Sequence, residues 1–223
     1  VGAFSAAVGV GSTGVGVSIG AAIALNKIGF DLGGNPLPMQ VQSYVEDSSI
    51  NADGALTLDA HAQQKIDAVV LAGSVAVAAG QTGVAVSGSG EFVLNQIGAD
   101  VSAYIAGGAL DGDSEIIEAG SISIHASDDS VINTIAGAAA AAVAVGQTGV
   151  AVSIGAAVAV NEISTSVDAG IRDMGDGVTA DATTVIKPVT EETRIDGDIV
   201  VRAEQNARIN AISAAASIAL GFG

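Results

Sequence analysis

Acidic side chains supply most of the chemistry this sequence could carry. Asp111, Asp113 and Glu115 alternate along DGDSE, so three side-chain oxygens can converge on one hard cation, as they do where a calcium loop begins. The later glycine and the terminal bidentate glutamate of an EF-hand are missing, and no cofactor other than calcium is suggested. Asp196-Gly-Asp198 and the pair Asp173 and Asp176 are sparser versions of the same pattern. The plainer reading of all these acids is that they keep surface loops solvated. His61 and His125 occupy non-equivalent positions beside polar neighbours, as exposed strand or turn residues do, and neither falls in a Ser-His-Asp arrangement. Arg172, Arg194, Arg202 and Arg208 gather late in the chain, but the aromatic platforms of a polysaccharide-cleaving groove are nearly missing there. The expectation is a protein that is not an enzyme.

The most repeated polar residues belong to a tandem repeat. TGVGVSIGAAIALNKI from Thr13 recurs as TGVAVSGSGEFVLNQI from Thr82 and as TGVAVSIGAAVAVNEI from Thr148, and Asn26, Asn95 and Asn161 each follow their threonine by 13 residues. A second block reads GALTLDA from Gly54, GSISIHA from Gly120 and GDIVVRA from Gly197. From this glycine to the next threonine the count is 28 in both cases, whereas the stretch from asparagine to glycine varies as 28, 25 and 36 residues. Constant length marks packed structure, and the variable stretch, rich in turn formers and acids, marks surface loops. The threonine and asparagine columns are expected to bond local backbone at turns and strand ends.

These blocks divide the chain into repeats at 1–68, 69–134 and 135–211, with 212–223 opening a fourth. Gly11, Gly80, Gly146 and Gly223 share one phase, and neither end carries an atypical polar capping repeat, so neighbouring repeats or stacked copies are expected at both ends. The sequence opens at Val1 without a basic and apolar leader, so the expectation is that a signal was removed or that this is an internal segment.

The glycine block alternates, with Leu56, Leu58 and Ala60 on one side, and the outward column reading Asp59, His125, Arg202; this is a half-buried strand. The threonine block is apolar on both parities, as in Val150 to Val160, and reads as a strand covered on both faces. GSTG and the two GQTG turns serve either as hairpin tips or as corners between sheets. Residues 135–160 lack charge over a length that could span a bilayer, but their Ala, Gly and Val content and the absence of aromatic or basic flanks argue against a transmembrane helix. A repeat of about 67 residues exceeds the roughly 20 to 25 of a common β-helix coil, so about three coils per repeat are expected.

Composition fits such a fold. The chain is 49% hydrophobic but only 3% aromatic, with 30 glycines, so its core must be thin and closely spaced. With 24 acidic against 7 basic residues the net charge is -17, which disfavours nucleic acid and anionic lipid. The absence of cysteine removes disulfides and thiolate metal sites and is compatible with export. The expected fold is all-β, a parallel β-helix or β-solenoid of three repeats, with stacked antiparallel hairpin layers as the alternative.

The G-apolar-x-apolar-x-A units at Gly54, Gly120 and Gly197, joined to runs such as AVSIGAAVAVNEI, resemble the very large bacterial surface proteins of the filamentous-haemagglutinin-like, β-helical adhesin type. The resemblance implies a parallel β-helix, secretion to the extracellular space or cell surface, and a role in adhesion or surface architecture. The functional expectation is therefore a structural module of a surface fibre, partnered by copies of itself or by flanking repeats. The alternative is an adhesin module that binds calcium or surface glycans, on its own or other cells, through the variable acidic loops.

Overall fold

A computed structural model describes residues 1–107, 117–172 and 198–223. Among them the regular structure is entirely β: β1 (Gly2–Val10), β2 (Thr13–Ile28), β3 (Met39–Glu46), β4 (Ile50–Ala62), β5 (Lys65–Ala79), β6 (Thr82–Ala106), β7 (Ile117–Asp128), β8 (Val131–Val145), β9 (Thr148–Arg172), β10 (Ile199–Gln205) and β11 (Arg208–Phe222). These form three parallel sheets. Sheet A has the order β1-β5-β8-β11, sheet C has the order β4-β7-β10, and in sheet B β6 lies between β9 on one side and β2 followed by β3 on the other.

Every strand pairs with its counterpart one repeat away. Thr13 lies beside Thr82 and Thr82 beside Thr148; Lys65 lies beside Val131, and Val131 beside Arg208. One repeat therefore makes one layer, which overturns the expectation of three coils per repeat. The physical reason is strand length: β6 and β9 run for 25 residues, so one circuit consumes a whole repeat. The antiparallel-hairpin alternative also fails, because the only antiparallel pairing among the described residues is the isolated bridge Phe30–Pro36. GSTG and GQTG are corners, since β1 and β2 belong to different sheets, as do β5 and β6. The ladder continues through these corners, with Gly80 N–H donating to Val145 O and Thr148 N–H to Gln81 O, both at 3.1 Å.

The long strands of sheet B pack on sheet A along their first half and on sheet C along their second. Leu58, Ile122 and Ile124 of sheet C meet Val101 and Ile105 of sheet B in one core. Ile66, Val70 and Ile132 of sheet A meet Val93 and Ile97 of sheet B in another. Towards the corners the interior narrows to Ala76, Ala78, Ala85, Ala142 and Ala144. The sheets come so close there that a Cβ on Gly16 would lie 2.6 Å from Val77 O, and one on Gly155 the same distance from Ala216 O.

The expected cover on both faces of the threonine block is missing in the chain itself. Gly14, Gly16, Ser18, Gly20 and Ala22 of β2 are buried, while Val15, Val17, Ile19 and Ile23 between them are exposed. Between β2 and β3 a loop leaves the layer while β6 runs on past it. Gly29 turns the chain out at φ +71°, a backbone conformation only glycine takes without strain. The loop is closed by Asn35, whose backbone and side-chain N–H groups both donate to the Asp31 carboxylate at 2.7 Å.

Candidate functional site

The residues expected to hold calcium, Asp111, Asp113 and Glu115, lie outside the described residues, as do Asp173, Asp176 and Asp196. Asp198 precedes β10, and its carbonyl accepts from Ile122 N–H at 3.0 Å. Among the described residues no group of three or more His, Asp or Glu side chains is placed to hold a metal ion.

The structure does bring together the outward column of sheet C. Register places Asp59, His125 and Arg202 side by side in successive layers, with Thr57, Ser123 and Val200 as the row before them and His61, Ser127 and Glu204 as the row after. His125 Nδ1 lies 3.4 Å from the Asp59 carboxylate and Nε2 lies 3.6 Å from that of Glu204, which Arg202 also engages. Nε2 is buried and makes no hydrogen bond. His61 Nδ1 bonds Ser127 Oγ at 2.8 Å. A hollow of about 250 Å³ opens over this column, lined by Thr57, Asp59, Ser123, His125, Val200 and Arg202. Its alternation of hydroxyl, carboxylate, imidazole and guanidinium offers donors and acceptors to a hydroxylated ligand. The near neighbours of His125 are the carboxylates of Asp59 and Glu204, whereas His61 lies between the Ser127 hydroxyl and, at 3.9 Å, the Asp129 carboxylate.

A second exposed group stands on the outer face of sheet B. The rings of Tyr44 and Tyr104 stack at 5.4 Å with 11° between their planes, and the Arg172 guanidinium sits 5.2 Å from the Tyr104 centroid. Asp168 holds that arginine by an ion pair. Sequence reading misses this stack because Tyr44 follows Asn26 by 18 residues and Tyr104 follows Asn95 by 9. The loop between β2 and β3 hides the alignment.

The asparagine column does not bond local backbone as expected. It forms a ladder inside the fold: Asn26 Nδ2 donates to Asn95 Oδ1 at 2.7 Å, and Asn95 Nδ2 donates to Asn161 Oδ1 at 2.8 Å and to Thr134 Oγ1 at 2.7 Å. Thr134 in turn donates to Asn161 Oδ1 at 2.6 Å. Serines do the same between sheets A and B, with Ser5 on Ser18 at 2.8 Å and Ser74 on Ser87 at 2.6 Å. At the corner between sheets C and A, Gln205 Nε2 donates to Thr165 Oγ1, which donates to the fully buried Asp128 carboxylate, whose other oxygen is 2.5 Å from Ser130 Oγ. One buried carboxylate stands apart: both oxygens of Glu91 are unpaired, at a position where the adjacent layers carry Ala22 and Ala157.

Comparison with protein-family models, with curated proteins and with solved structures finds no match to this chain.

Proposed function

We propose that the chain is a structural β-solenoid module of an exported bacterial surface fibre, in which each repeat adds one layer to a stiff rod. The observation that carries this reading is the in-register pairing of each strand with its own counterpart in the next repeat, across all three sheets. Stability then accrues by layers, through nearest-neighbour interfaces. The ladder of Asn26, Asn95 and Asn161 reinforces the register, since a slip by one residue would remove every one of its bonds. Export and the cell surface enter from the resemblance to β-helical surface proteins, with which the absence of cysteine is compatible.

The test is a series of chains carrying one, two or four extra copies of residues 65–130 after residue 130, with spin labels on cysteines replacing Ala6 and Ile218, which lie in one outward column of sheet A in the first and last layers. If each repeat adds one layer, the distance between the labels grows by about 4.8 Å for each copy, the spacing of neighbouring strands. A separation that does not grow by that step would remove the rod reading.

A further inference from the structure

The least ordinary surface of this molecule is the outer face of sheet B between the corners and the asparagine ladder. Its three strands present columns of branched residues in register: Val15–Val84–Val150, Val17–Val86–Val152 and Leu25–Leu94–Val160. Ile19 is 71% exposed and Ile154 64%. Gly88 between these two, and Gly90 between Ala21 and Ala156, leave a notch, as a Cβ on either glycine would meet nothing within 4 Å. Over residues 1–26, 69–95, 135–161 and 212–223 the only ionisable side chain is Glu91, and it is buried. Apolar patches beyond a few hundred Å² mark interaction sites.

We propose that this face docks against the same face of a second copy of the chain, joining rods side by side. The inference goes beyond the axial stacking of layers and uses a different surface. Three strands about 4.8 Å apart, each about 11 residues long at about 3.3 Å per residue, give about 500 Å² per copy. A pair therefore covers about 1,000 Å², the lower bound for a specific interface, which puts the association in the weak, transient class. Parallel columns of valine, isoleucine and leucine form ridges that interlock with an identical set, and the notch at Gly88 and Gly90 receives a ridge of the partner. Charge leaves few other routes of approach, because, apart from Asp67 of sheet A and the buried Glu91, the acids among the described residues lie on sheet C, on the far half of sheet B and in the connections between strands, where like charges repel. Lipid fits less well: the chain has no tryptophan, and its two tyrosines, Tyr44 and Tyr104, stand beyond the apolar zone instead of at its border. The outer face of sheet A also exposes apolar side chains, among them Phe4, Val8, Ile135 and Ile212, and is the competing surface that a substitution at Val75 reads.

Sedimentation equilibrium from about 1 to about 100 µM tests this, a range suited to weak, transient association. The chain should approach twice its monomer mass. Ile154→Lys should weaken association by at least about 100-fold, because a lysine would be buried unpaired within the contact. Val75→Lys, on the outer face of sheet A, should leave association unchanged, and both variants should melt like the parent because both side chains face solvent in the monomer. A parent monomeric throughout, or dissociation by Val75→Lys and not by Ile154→Lys, overturns the proposal. So does flotation of the parent with phosphatidylcholine vesicles, abolished by Ile154→Lys, in the absence of a dimer. The length gained per added repeat is blind to Ile154→Lys, so failure here and failure of the rod reading give different results.

Discussion

At Asn95 a single side chain ties three layers together. It accepts from Asn26, donates to Asn161 and Thr134, and is fully buried. Replacing it with alanine leaves the amide of Asn26 without its acceptor and removes the donor shared by Asn161 and Thr134. Asn95→Ala should cost about 2–4 kcal/mol, since each buried polar group left unpaired costs about 1–3 kcal/mol. Asn26→Ala, at the half-buried end of the ladder, should cost less. Urea unfolding of the two variants checks the order, and equal small losses would show that the ladder contributes nothing. Glu91 makes the opposite case. Its two oxygens are buried without partners where both neighbouring layers have alanine, so Glu91→Ala should raise the melting temperature, by the equivalent of about 1–3 kcal/mol. A lower melting temperature in that variant would mean that the carboxylate has a partner.

Strands of this protein differ from ordinary half-buried strands in which side they make bulky. The inner faces of sheets A and B near the corners carry glycine, alanine and serine, so their backbones almost touch, and the branched residues point outward. This division predicts opposite responses at two glycines of sheet B. Gly155→Val would drive its Cβ to 2.6 Å from the backbone oxygen of Ala216, and the sheets must part to admit it. A loss of about 3 kcal/mol or more is expected, at the severe end for overpacking. Gly88→Val projects into open space between Ile19 and Ile154 and should stabilise by about 0.5–1 kcal/mol through strand propensity. Thermal melts read both; a destabilised Gly88→Val would place the bulky face on the wrong side.

Across the whole molecule, the repeat and its strands were legible in the sequence because inward positions recur at fixed spacing, as Leu58 and Ile124 do in adjacent strands of sheet C. The number of layers per repeat was not. Recurrence says which segments are equivalent, but not how often the chain circles between them. Strand length decides that, and apolar residues on both parities of Val150 to Val160 hid both the length and the exposed face. The outward column of Asp59, His125 and Arg202 could be read from alternation alone, whereas the Tyr44–Tyr104 stack could not, because the loop closed by Asp31 and Asn35 shifts the count. One repeat per layer also bears on how the chain reaches this state. Every inter-strand ladder in the three sheets joins residues at least 60 apart. No sheet can start until a complete circuit of chain is available, and closing so long a loop makes the first pairing slow. After that each new strand meets a ready edge. Folding should therefore begin with a long lag and then advance layer by layer, leaving the chain open to transport, and to aggregation, until the first circuit closes.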